Sequence, residues 1–288
     1  MKYYKQIIAI WLIVLSLNIK AQDMNSFYFE ANVANNLAKV GKIDSAIITY
    51  ENAFKKVDYV QITYLNKIVT LAKLNKDQER INRYLKQIKI QLKGTTPQLV
   101  TIIDSLIKAD QKVRKGKSLR KSKYSWECDE DPNCNKQSKK YIKSKLFADN
   151  WKKTDSLNSY FLFDLFQEYG FIGEELVGFK GYNNIIAIFT HFDLDTNNTI
   201  LEPILRIALN EGKIWPIHFT QILDRHLGGK FTIQKYWTWP DRNKKKYEFS
   251  ESDIPKIIKL RESIGIYGST LSQFYSRGSW LLQSHINY

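Results

Sequence analysis

Apolar residues recur every three or four positions through residues 25–92, the spacing that puts them on one face of a helix. Almost nothing interrupts the pattern until Gly94-Thr95-Thr96-Pro97. There Thr96 is placed to cap and Pro97 to open a first helical turn, and Leu99, Ile102, Ile103, Leu106 and Ile107 continue the period. Residues 112–145 lose it, because they are rich in lysine and poor in aliphatics. It returns over 151–170, where Leu157, Phe161, Leu165 and Phe166 fall on one side and Gly170 marks the stop. Three shorter helical segments come next, at 183–193, 199–212 and 216–229. Residues 231–239, FTIQKYWTW, have β-rich composition and predict an extended arm or small hairpin. Ser252 with Pro255 opens a last helix. The expected fold class is mainly α, with one short β-rich arm.

The small residues divide this chain. Leu37, Gly41, Ala46, Tyr50 and Ala53 resemble the second half of the tetratricopeptide pattern, in which glycine ends the inter-helix turn and alanines allow close packing. The next 34 residues keep Tyr84 at the position of Tyr50 and lose the glycine and alanine. One repeat and one degenerate repeat are too few to stand alone, so this region is expected to pack on the helices C-terminal to it. The resulting division is a tetratricopeptide-like region at 22–93 and a helical domain at 97–288 that carries an insertion at 115–149.

The first residues change the compartment. Lys2 and Lys5 precede an apolar run of 11 at 7–17, and Ala21 offers a small residue before Gln22. This is the layout of a signal peptide spanning 1–21, and the run falls short of the roughly 17–25 residues that a membrane span needs. The chain is therefore expected to be exported, periplasmic or secreted, with no transmembrane span after cleavage. That expectation reshapes the meaning of the net charge, +15. A basic cytoplasmic chain would point to nucleic acid, whereas an exported one meets acidic lipids, glycans or proteins.

Much of the charge lies in the insertion: residues 112–145 hold 12 Lys or Arg against 4 Asp or Glu. Cys128 and Cys134 flank its acidic centre, and two thiols without a nearby histidine make a poor zinc site. In an oxidising compartment a disulfide closing a short turn is the simpler expectation, within a solvated insertion.

A succession of polar landmarks runs through the second region. Asp110, Gln111 and Arg114 form D-Q-x-x-R, and Asp155 and Asn158 form D-x-x-N. Next are Tyr169-Gly170-Phe171 and Val177-Gly178, then His191-x-Asp193 and the run Leu223, Asp224, Arg225. Gln234-x-Tyr236 and the Arg261-to-Gly265 spacing complete the series. In this order, over residues 99–268, the landmarks resemble a bacterial domain family of unknown function often found in exported proteins. The resemblance implies a small, mostly helical domain and no particular activity. The chain departs from that pattern at Ile172, where the family has proline, and at Trp237-Thr238-Trp239, where it has G-T-Q. The insertion also lengthens the gap between the first two landmarks.

Helical geometry gives these landmarks a physical sense of their own. Asp110, Arg114, Asp155, Asn158, His191, Asp224 and Arg225 each continue an apolar stripe, so each points inward, where a charge needs a partner. With Gln111 and Gln234, which the resemblance adds, they are a candidate polar site, either an open pocket or a buried network. Within FTHFDLDTNN, Asp193, Asp195 and Asn197 occupy the opening positions of a calcium loop, but position twelve is Ile204, and no bidentate acid closes it. His191 with Asp193 would need a third ligand such as Asp224 or His226 to hold a transition metal. As a general acid–base group His191 would lean on Asp110 or Asp224, with no serine or cysteine in a nucleophile motif. The remaining reading ends a helix at His191. No metal and no cofactor is assigned. The function favoured is an exported binding or scaffold module that meets a protein or acidic surface, with nucleic acid disfavoured. The alternative is an enzyme of unassigned reaction with a His191-centred pocket.

Overall fold

The structure, a computed structural model, describes residues 24–114, 117–191, 201–228, 235, 236, 238 and 251–267. The expected leader at 1–21, most of the expected β-rich arm and the acidic run after His191 lie outside the described residues. Among the described residues the chain is helical, with no strand. A helix at 24–39 (α1) is followed by α2 (Ile43–Phe54), α3 (Ile62–Leu74), α4 (Gln78–Lys93) and α5 (Pro97–Arg114). Then come α6 (Lys117–Glu130), α7 (Lys139–Tyr169), α8 (Glu174–Thr190), α9 (Leu201–Asn210) and α10 (Pro216–Gly228). A 3-10 turn at Glu251–Asp253 leads into α11 (Ile254–Glu262). None of the described helices is long and apolar enough to cross a membrane.

The first four helices build their own core around Ala34, Ala46, Ile47, Tyr50, Leu65, Ile68 and Ala72. Gly41 turns the chain between α1 and α2 at φ +77, a left-handed conformation that side chains rarely adopt. Ala46 and Ala53 are fully buried, so nothing larger fits between the helices there. Ala46→Leu should therefore overpack the contact and cost about 1–3 kcal/mol. An unchanged denaturant midpoint would remove the close-packing assignment.

A second core, centred on Leu162, Phe166, Ile185, Phe189, Leu205 and Phe219, joins α5, α7, α8, α9 and α10. The two cores meet through polar contacts. Gln61, which precedes α3, makes no side-chain cap bond to its helix. Instead Glu174, at the start of α8, accepts the N–H of Ile62 at 2.7 Å. A carboxyl group from 112 residues away thus serves the N-terminal end of the α3 dipole. Gln61 itself donates to the Gly212 carbonyl, and the Thr96 N–H donates to the carbonyl of Leu176 at 2.7 Å.

Two expectations need correcting. The stretch expected as a solvated insertion, 115–149, is helical over most of its described residues, and α6 packs along the first part of α7. Small buried residues permit this. Ser122 and Ser125 on α6 meet Ser144 and Ala148 on α7, and the Ser125 N–H donates to Ser144 Oγ at 2.7 Å. Cys128 and Cys134 are bridged, with Cα atoms 5.3 Å apart, and close the hairpin near its turn. The second correction concerns α7. Leu157 and Phe161 point outward, and Leu162, Phe163 and Phe166 are the buried apolar residues. This helix carries apolar residues on both sides, so periodicity alone does not say which side the neighbouring helices cover.

Candidate functional site

The last turn of α5, the middle of α7 and the end of α8 converge on one charged cluster. Asp110 and Arg114 stand one turn apart on α5, the spacing at which two side chains on a helix meet. The Arg114 guanidinium bonds Asp110 through Nη1, and through Nη2 it reaches both oxygens of Asp155 on α7, at 2.6 and 2.7 Å. Its flat face lies 4.9 Å from the ring centre of Trp151, one turn before Asp155. His191, the residue that ends α8, donates from Nδ1 to Asp110 Oδ1 at 3.0 Å. Gln111 donates to the other oxygen of Asp110 at 2.8 Å. Asp110 is thus fully buried with three donors on two oxygens.

Burial is graded across the cluster. The side chain of Asp110 is 1% exposed, those of Asp155 and Arg114 slightly more, and that of His191 23%. Loss of water pushes the Asp155 carboxyl up to about 6, against the pull of Arg114 and of His191. Asp155 is therefore ionised at neutral pH and takes up a proton on mild acidification. Asp110, Asp155 and His191 each offer an atom within 4.8 Å of the others, a donor set suited to a divalent metal. Arg114 already occupies both carboxylates, so a metal would have to displace a paired guanidinium. Chemically, the set can take up a proton at Asp155 and fix three helices to one another.

The other expected residues have different roles. Asn158 lies on α7 beyond Asp155 and donates to the Leu106 carbonyl at 3.2 Å, tying α7 to α5. Asp224 belongs to a second group. It accepts the backbone N–H groups of Tyr236 and Thr238 at 2.9 and 2.7 Å and the Thr238 hydroxyl at 2.7 Å. The arginine whose charge Asp224 supports is Arg261 of α11, which donates to the Tyr236 carbonyl at 2.8 Å. Burial pushes that guanidinium down to about 10, and it remains charged at neutral pH. Arg225 is half-buried on α10, and Gln234 lies outside the described residues. His226 bonds the Phe189 carbonyl at 3.1 Å, which secures the end of α8 from α10.

Several buried polar residues carried no sequence signal as a group. Tyr182 Oη accepts the backbone N–H of Trp215 at 3.0 Å and meets His218 Nδ1 at 2.8 Å, and His218 stacks on Trp215. Glu174 is 3% exposed, one of its oxygens has no partner, and burial pushes its carboxyl up to about 7. Only its position directly after Gly173, at a helix start, distinguished it from a surface acid.

Comparison of the chain with family models, with curated proteins and with solved structures gave no match.

Proposed function

We propose that this protein is an exported binding module, in which a tetratricopeptide-like helical array at 22–93 is carried on a helical domain. The observation that supports a module over an enzyme is the occupation of Arg114. Its guanidinium is shared between Asp110 and Asp155, so the buried charges answer one another rather than a substrate. Ala46, Tyr50 and Ala53 on α2, with Tyr84 on α4, are buried at the positions where the repeat pattern needs close contact. The leader sequence and the basic hairpin α6–α7 favour an extracytoplasmic partner with an acidic surface.

One observation keeps the enzyme as a second reading. His191 is oriented by a buried carboxylate through Nδ1 while its ring stays partly exposed, an arrangement that serves a general base. A thermal-shift screen of metals and small molecules on wild type and His191→Gln separates the two. The module reading expects no compound to raise the melting temperature of the wild type alone. A ligand whose shift disappears in His191→Gln would replace it with the enzyme reading.

A further inference from the structure

The outer side of α7 carries apolar residues that no described helix covers. At about 100° per residue, the side facing α5, α6 and α8 holds Ser144, Ala148, Asp155, Leu162 and Phe166. The opposite side holds Ile142, Leu146, Leu157 and Phe161, all exposed, with Leu146 at 69% and Leu157 at 60%. A helix with apolar residues on two opposite sides gains from a partner on each. Here the described residues supply a partner on one side only.

The order of residues along that outer stripe identifies the missing partner. Ile142 and Phe161 are equidistant from the peptide bond between Trp151 and Lys152, and so are Leu146 and Leu157. Lys139 and Asp164 are equidistant from the same point, as are Asn150 and Lys153. All are exposed. When such a helix is laid antiparallel on a copy of itself about that point, apolar meets apolar and lysine meets aspartate or asparagine. A two-fold interface demands this self-complementarity, residue i against j and j against i. The steps from 139 through 142, 146, 150, 153, 157, 161 and 164 are each three or four residues, the spacing of a coiled-coil seam, about 38 Å long.

We propose that a second copy of this chain docks on α7, forming an antiparallel two-helix seam centred between Trp151 and Lys152. The seam brings Leu146 of each copy against Leu157 of the other. At its ends Lys139 meets Asp164 from the opposite chain, and Asn150 and Lys153 at the middle fix the register through a polar pair. An anionic surface would match Lys139, Lys143 and Lys153 but would repel the exposed Asp149 and Asp164 of the same helix, whereas the second copy matches both signs.

This goes beyond the binding-module reading, and the two fail separately, because the seam does not include His191. Sedimentation of the natively processed chain over a concentration series should show a monomer–dimer equilibrium. Leu146→Glu should weaken it at least tenfold, with the circular-dichroism melt confirming that the exposed substitution leaves the fold intact. Lys139→Asp and Asp164→Lys should each weaken the dimer, and the double variant Lys139→Asp/Asp164→Lys should restore it, since each lysine faces the other copy's aspartate. A chain that stays monomeric throughout overturns the proposal. So does a dimer untouched by Leu146→Glu, a double variant weaker than both singles, or a monomer that binds anionic phosphatidylglycerol vesicles through this stripe.

Discussion

Arg114→Met should lower the unfolding free energy by about 3–5 kcal/mol, the scale of breaking a buried ion pair from one side. Asp110 would keep His191 and Gln111 but lose its only strong cation, and Asp155 would lose both of its bonds to the guanidinium. Methionine preserves most of the stem, so packing loss contributes little to the effect. Denaturant titration at pH 7 gives the value, and Asp155→Asn in the same background should recover part of it by removing one orphaned charge. A loss below about 1 kcal/mol would mean that water reaches the cluster freely and that the three helices are held by other contacts.

Glu174→Gln should remove a pH dependence. The Glu174 carboxyl sits at about 7 in the fold, pushed up by burial, against an ordinary value of 4.5. Because the folded value is the higher one, its contribution is fully present below about pH 4.5 and is lost as pH rises through 7. A difference of that size corresponds to about 3 kcal/mol between the two ends of the window. Glutamine retains an oxygen for the Ile62 N–H and cannot ionise. The variant should therefore match wild type near pH 4.5 and exceed it by about 1–3 kcal/mol at pH 8. Parallel stability curves across that range would show that Glu174 does not titrate between the two cores. Asp155 has the same sign over a lower window, from its ordinary 3.8 up to about 6, so a residual slope should persist in Glu174→Gln.

The candidate site was partly legible in the chain's periodicity. Asp110 and Arg114 are one turn apart on a predicted helix, so their pairing arises from local geometry. Bringing Asp155 and His191 to them required that α7 and α8 both pack on α5, over sequence separations of 41 and 81 residues. Asp224 shared the same inward periodicity and landed elsewhere. Periodicity tells which side of a helix is buried and says nothing about which other helix lies there. The outer stripe of α7 shows the converse limit, because Leu157 and Phe161 satisfy the helical period without being buried in this chain.

Local features were readable from residue order: helical type and period, the turns at Gly41 and Gly170, the helix start at Pro97, and the i,i+4 pairing of Asp110 with Arg114. Each depends on residues within one or two turns, where backbone stereochemistry and side-chain reach suffice. Packing of the helices was needed to make Glu174 the cap of α3, to set Asp224 to work with Tyr236, Thr238 and Arg261, and to choose the side of α7 that faces the core. Those outcomes depend on desolvation and on partners far away in the chain, and both come into being only when the helices pack.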